Sequence, residues 1–337
     1  MICNHPLTRV EDFNGKVTFH EAKLNDQETL SDWKTSLKTQ GYIKSVKMIP
    51  CGQCVSCRLN KARDWANRIM MECQDFKYNY FVTLTYADEY LPIKKTINTE
   101  TGEVITGATL KKEDLTKFNH DLRQYWERKF NHSGIRYYSC GEYGEQNLRP
   151  HYHCIIFNLP YLDDLVIYKK TELGDTLYTS ETLSKIWKKG YVIVGEVTYE
   201  SASYVARYVM KKRWGKDADA YYESLAKIPE FTTMSRMPGI GRNYYEANKE
   251  TIYQTDEIFV KTKKGSVRLK PSAYFDRLYE QDEPEKYKKI KRIREHKNSL
   301  GTKLMYENVK TIDNIQNQRE IQERNMIEKA KTLKREL

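Results

Sequence analysis

No stretch of this 337-residue sequence approaches the ~20 consecutive apolar residues that a membrane helix requires. The opening Met1-Ile2-Cys3-Asn4-His5-Pro6 also lacks the basic-then-apolar pattern of a signal peptide. These two absences lead to the expectation of a soluble, intracellular protein with no membrane partner. A disulfide framework is excluded by a different shortage, since there are only seven cysteines, an odd number, and three of them crowd into Cys51-Gly52-Gln53-Cys54-Val55-Ser56-Cys57. Excess acid is missing as well. The formal net charge is +11, which points to an acidic partner such as nucleic acid. That charge is unevenly spread: residues 261–337 carry a net +9 and the first 260 residues only +2.

What the sequence has in plenty is tyrosine, 26 of them, rings that stack on unpaired bases as readily as they pack a core. Residues 1–50 are mixed and polar and carry no assignable chemistry. In the Cys51-to-Cys57 run, the two-residue gaps match the knuckle that turns neighbouring thiolates toward a zinc ion. Three ligands leave a tetrahedral site one short. Cys3 or Cys73 could complete it, and Cys3 is preferred because it would tie the N-terminal segment to the body. As three reduced thiols leading into a helix, the same residues need no metal.

The periodicity predicts an amphipathic helix over 57–73, a β-branched strand over 80–86, and a polar hairpin or loop over 91–109. A second helix carries Leu115, Phe118, Leu122, Tyr125 and Trp126 on one stripe, and strands follow over 135–140 and 151–157. Ser180 is the expected cap of a short helix, 181–189, stopped by Gly190. A strand over 191–199 then leads to a helix over 201–212 with Ser201 at its N-cap.

The chemistry concentrates in Arg149-Pro150-His151-Tyr152-His153. Side chains alternate along a strand, so His151 and His153 share a face while Tyr152 points to the other. Two imidazoles side by side invite a metal ion. A short loop makes the preceding strand an antiparallel neighbour, and the carboxylate at its end, Glu142 or alternatively Glu145, becomes the third ligand. Two imidazoles and a carboxylate suit Mg²⁺ or Mn²⁺ with positions left open for substrate. Downstream, Tyr204 and Tyr208 lie one helical turn apart with Lys211 on roughly the same side. Alone, such a pair is more simply read as core packing. Beside a metal site, a tyrosine hydroxyl is a competent nucleophile for a phosphodiester.

These motifs, in this order, resemble those of the HUH (His-hydrophobe-His) single-strand endonucleases of rolling-circle replication. More closely, residues 50–241 are similar to the replication initiators of small single-stranded DNA bacteriophages, the microviruses of gokushovirus type. The first motif is Phe81-Val82-Thr83-Leu84-Thr85-Tyr86 and the second Arg149 to His153. The third is Tyr204-Val205-Ala206-Arg207-Tyr208-Val209-Met210-Lys211. The Cys51-to-Arg58 run and the Arg236-Met237-Pro238-Gly239-Ile240-Gly241 turn also look like those initiators. Tyr152 is less apolar than the usual central residue.

The resemblance implies an α+β fold, an RRM-like or ferredoxin-like antiparallel sheet with packed helices. It also implies a metal-dependent nuclease and strand-joining enzyme acting on single-stranded DNA at a replication origin. One tyrosine would form a 5′-phosphotyrosine and free a 3′-OH for a host polymerase, and the second would repeat the attack so that the ends close into a circle. Tyr208 keeps the Tyr-x-x-Lys spacing of single-tyrosine relatives, so it is expected to cleave first, with Lys211 supplying phosphate electrostatics. Host replication proteins are the expected partners, and the bacterial cytoplasm the expected location. The organisation expected is an N-terminal segment, 1–50, an endonuclease domain, 51–245, and a basic helical C-terminal region, 246–337, that grips DNA backbone. The competing class is a non-catalytic module that binds single strands through tyrosines and the basic tail. A conjugative relaxase or HUH transposase is a further alternative within the enzyme class.

Overall fold

In a computed structural model of the chain, the residues described are 3–21, 43–98, 101–144, 147–172, 174–207, 212, 217–262, 265–306 and 312–331. The chain divides into two compact units, residues 1–61 with 278–334, and residues 62–277 with 335–337.

The first unit begins with strands β1 (Leu7–Asp12), β2 (Val17–Glu21) and β3 (Ile43–Ile49), antiparallel in the order β2-β1-β3. At the β1–β2 turn, Asp12 Oδ1 accepts hydrogen bonds from the amides of Asn14 and Lys16 at 2.9 and 2.8 Å, the local bonding that makes aspartate a turn former. Helix α1 (Val55–Gln74) starts in this unit and continues into the other.

The second unit is built on a seven-stranded antiparallel sheet. Strand β4 (Asn79–Thr85) is followed by a separate hairpin, β5 (Ile93–Ile97) and β6 (Val104–Ala108), where the sequence allows a hairpin or a loop. Helix α2 (Lys112–Phe130) leads to β7 (Arg136–Tyr143) and β8 (Pro150–Phe157). Next come β9 (Leu165–Lys170), β10 (Thr176–Ser180), α3 (Glu181–Trp187), β11 (Val192–Glu196) and α4 (Tyr199–Arg207). Helix α5 (Ala218–Ser224), β12 (Phe231–Met234) and α6 (Arg242–Thr255) follow. The hairpin β13 (Ile258–Thr262) and β14 (Gly265–Leu269) precedes α7 (Ala273–Asp282). The chain then returns to the first unit with α8 (Pro284–Tyr306) and α9 (Ile312–Lys331).

The sheet runs in the order β12-β7-β8-β4-β11-β10-β9, so β8 and β4 are interior strands. Both of its faces are covered. Val82, Leu84, Tyr152, Cys154 and Ile156 pack against Leu115, Phe118, Leu122 and Trp126 of α2 and Leu183 and Trp187 of α3. On the opposite face Phe81, Tyr138, Cys140, Ile155 and Phe157 meet Ala62, Ala66 and Ile69 of α1 and Ala202, Val205 and Ala206 of α4. Burial on both faces explains why β8 is apolar almost throughout. Each large apolar side chain fully buried here contributes about 1.5–3 kcal/mol.

Two helix boundaries differ from expectation. Ser180 caps α3 as predicted, its hydroxyl accepting from Leu183 N at 3.1 Å, but the helix ends on Lys188 in the left-handed conformation rather than at Gly190. Gly190 has another reason to lack a side chain, because a Cβ there would sit 2.3 Å from Thr85 O, at the point where the chain crosses the end of β4. Helix α4 begins before Ser201. Thr198 Oγ1 accepts from Ser201 N at 3.1 Å while Ser201 Oγ accepts from Thr198 N at 2.8 Å, a reciprocal capping box that makes Thr198 the cap.

The Arg236-to-Gly241 turn has a structural part to play, fixed by charges buried under it. Glu72 accepts from Gly241 N at 2.5 Å and pairs with Arg136, whose Nη2 donates to Pro238 O at 2.7 Å. Arg68 donates to Ile240 O through Nε and Nη2 at 3.1 and 3.0 Å. Replacing Glu72 by alanine strands a buried guanidinium, and we expect a loss of about 3–5 kcal/mol in unfolding free energy, read by urea denaturation.

Candidate metal centre

The pairing of three strands assembles the site. In the register of β7 and β8, Glu142 lies opposite His151 and Cys140 opposite His153, and across β4 Thr85 and Thr83 face the same two histidines. Opposed residues of antiparallel strands share a face, so Glu142, His151, His153 and Thr83 converge. Glu142 Oε1 is 2.5 Å from His151 Nε2 and 3.1 Å from His153 Nε2. The ligand atoms of all three residues lie within 4.8 Å of one another.

The other ring nitrogens are engaged behind them. His153 Nδ1 bonds Thr83 Oγ1 at 3.0 Å, and His151 Nδ1 lies 3.1 Å from Arg149 O. A carbonyl only accepts, so Nδ1 of His151 carries the proton, and a neutral ring then turns the Nε2 lone pair toward a carboxylate oxygen. Two lone pairs at 2.5 Å repel unless a cation lies between them, either a proton on Nε2 or a metal ion. The donor set therefore fits a divalent cation, with the outer hydrogen bonds orienting the rings as metal-binding histidines require.

Glu142 and His153 are almost wholly buried, and His151, with 17% of its side chain exposed, marks the open side. Burial works against the charged form of Glu142, but hydrogen bonds from His151 and His153 outweigh it and hold the carboxyl well below the usual carboxylate range. The group is an anion at neutral pH. The His153 ring stacks on Phe81 at 5.4 Å between centroids and meets the edge of Tyr204 on α4 at 5.3 Å.

Of the residues singled out from sequence, Glu142, His151, His153 and Tyr204 thus come together. Glu145, Tyr208 and Lys211 lie outside the described residues. Tyr152 faces away, fully buried, its hydroxyl 2.8 Å from Tyr86 Oη and accepting from Lys111 N at 2.8 Å. Four thiols, those of Cys3, Cys51, Cys54 and Cys57, form a second group with ligand atoms within 4.8 Å, and Cys73 is not among them.

Three groups around the centre are not marked by sequence alone: Thr83, Phe81 and the carbonyl of Arg149. Thr83 sits in the first motif at even spacing from Phe81 and Thr85, a signal that gains meaning only once β4 is paired with β8. We expect Thr83→Val to weaken metal binding 10–100-fold, the usual cost of losing an outer hydrogen bond, seen as a higher Mn²⁺ concentration for half-maximal activity.

The fold and site define a protein with a His-x-His and glutamate centre on interior strands of an antiparallel sheet. Residues 79–213 match the model of the family described as replication-associated protein ORF2. The chain is 42% identical over 235 residues to replication-associated protein ORF2 of Spiroplasma virus 4, covering 69% of this chain and 68% of that one. It is 36% identical over 239 residues to replication-associated protein VP4 of Bdellovibrio phage phiMH2K, covering 71% and 69%. Against replication-associated protein ORF4 of Chlamydia phage 1 the identity is 31% over 173 residues, 49% of this chain and 38% of that one. No solved structure matches. The chain belongs to the replication-associated proteins of small bacteriophages, the microvirus initiators of gokushovirus type.

Proposed function

We propose that the protein nicks and rejoins single-stranded DNA at a phage replication origin, with Tyr204 and Tyr208 as nucleophiles. The observation that supports this most is the convergence of Glu142, His151 and His153 beside the ring of Tyr204. In the first step a tyrosine oxygen attacks the origin phosphorus, the bond to the 3′ oxygen breaks, and the phenolic proton is released. The products are a 5′-phosphotyrosine and a 3′-OH, which takes up a proton as it leaves. The reverse attack by a 3′-OH on phosphotyrosine restores the diester and closes a circle, so no outside energy is needed. Mg²⁺ or Mn²⁺ held by Glu142, His151 and His153 would polarise the phosphate and stabilise the leaving oxygen. Thr83 and the Arg149 carbonyl hold the imidazoles in orientation, and Lys211 is assigned the electrostatics of the phosphate.

The experiment is an SDS-stable adduct between the protein and an origin oligonucleotide in Mn²⁺. Its formation supports the enzyme, and retention of DNA without cleavage would favour the binding module. Host polymerase extending the 3′-OH and a location in the bacterial cytoplasm accompany this reading. Among the described residues no helix is long and apolar enough to cross a membrane.

Attachment to the DNA backbone is assigned to the C-terminal helices, where Lys288, Lys289, Lys291 and Arg292 of α8 are exposed. Reversing these four charges is expected to weaken DNA binding and flatten its salt dependence, by about 0.7 in log–log slope for each phosphate no longer neutralised. An unchanged slope would remove α8 from the interface.

A further inference from the structure

We infer that Cys3, Cys51, Cys54 and Cys57 hold a zinc ion in a four-thiolate structural site. Nothing in the nicking chemistry calls for these residues, and the spacing of the run by itself supplies only three ligands. Folding brings the fourth from the far end of the first unit's sheet. Cys3 Sγ lies 3.5 Å from Cys51 Sγ and 3.8 Å from Cys54 Sγ. Tetrahedral zinc with Zn–S bonds of about 2.3 Å sets thiolates about 3.8 Å apart, so the sulfurs already stand at the separations one ion imposes. An iron–sulfur cluster would hold its cysteines farther apart than a single ion does.

The backbone is arranged for thiolates. Cys51 N donates to Cys3 Sγ at 3.3 Å, and Gln53 N and Cys54 N donate to Cys51 Sγ at 3.4 and 3.3 Å. Amides aimed at sulfur favour the anion over the thiol. Gly52, at φ +76°, supplies the left-handed residue that lets this loop curl around its own sulfur. The apolar surroundings argue the same way, because Cys3, Cys54 and Cys57 form a buried cluster whose only described apolar neighbour is the half-buried Cys51. Four small thiols packed on one another make a negligible hydrophobic core, whereas a shared ion gives their burial a purpose. None of the four is in a disulfide.

The site also sits where three segments meet. Asn4 donates to Arg319 O of α9 at 3.1 Å and accepts from Ser56, and His5 Nε2 lies 2.6 Å from Glu323. Ser56 Oγ is 2.9 Å from Met326 Sδ. Zinc would therefore fasten the N-terminal segment to the first turn of α1 at the place where α9 joins them, a staple for a unit with a small core of its own.

The test uses the full chain, purified without a metal-binding tag and gel-filtered. Elemental analysis should find one zinc per chain, retained by the His151→Ala/His153→Ala double variant and lost from Cys54→Ser. Because Cys54→Ser is liable to fold poorly, alkylation of the unaltered protein is the second measurement. Iodoacetamide should spare Cys3, Cys51, Cys54 and Cys57 together until zinc is removed by chelator, after which all four react. Zinc content that follows the histidines, bound iron, a Cys3–Cys51 disulfide in fresh protein, or alkylation indifferent to zinc would each overturn the inference.

Discussion

Glu142→Gln should reduce formation of the covalent DNA adduct by about 10³-fold or more. The substitution keeps the shape and nearly the volume of the side chain but removes the negative charge at the centre of the triad. An amide oxygen is a far weaker ligand for a hard cation than a carboxylate. Metal polarisation of a phosphate is worth several kcal/mol, and each 1.36 kcal/mol is tenfold in rate, which gives the expected size. Binding of the uncleaved oligonucleotide and the unfolding temperature are the controls, and both should change little. Native-rate adduct formation by the variant in Mn²⁺ would sink the metal role of Glu142. His151→Ala and His153→Ala should act in the same direction, the buried His153 also costing stability because it leaves Thr83 Oγ1 without its partner.

The two tyrosines separate by product. Tyr208→Phe should abolish or sharply reduce the first cleavage of an origin oligonucleotide. Tyr204→Phe should leave that cleavage and block the second transfer, so that nicked DNA accumulates attached to protein. The double variant should give no adduct, a loss down to background, because phenylalanine retains the ring packing on His153 but has no oxygen to attack phosphorus. Mass mapping of the modified residue after reaction decides the assignment. An unaltered adduct from Tyr208→Phe would make Tyr204 the initiating nucleophile, the residue whose ring already touches a metal-binding histidine.

The centre was readable in the sequence because its parts are local. Two-residue alternation alone puts His151 and His153 on one face, and a short loop alone makes β7 the neighbour that delivers Glu142. The strand pairing that recruits Thr83 is not local, since β4 and β8 are separated by a hairpin, a helix and another strand. Capping was legible in kind and missed in place, because Thr198 and Ser201 are both good caps and only geometry shows them acting on each other. The edge strands β9 and β12 and the small sheet of the first unit went unread. Their residues alternate weakly, and their stability comes from neighbours distant in sequence. The same limit applied to the thiols, where spacing could offer Cys3 and Cys73 as equals.

The middle residue of the His-Tyr-His run gives β8 a means of proofreading its own alignment. With the histidines committed to one face and Tyr152 tied through Tyr86 and Lys111 on the other, sliding the strand by a single position would thrust imidazoles into a packed aromatic layer. It would also leave a phenol where an ion should bind. Transplanting this centre into another scaffold would therefore mean carrying three consecutive residues and the start of α2, not two histidines alone.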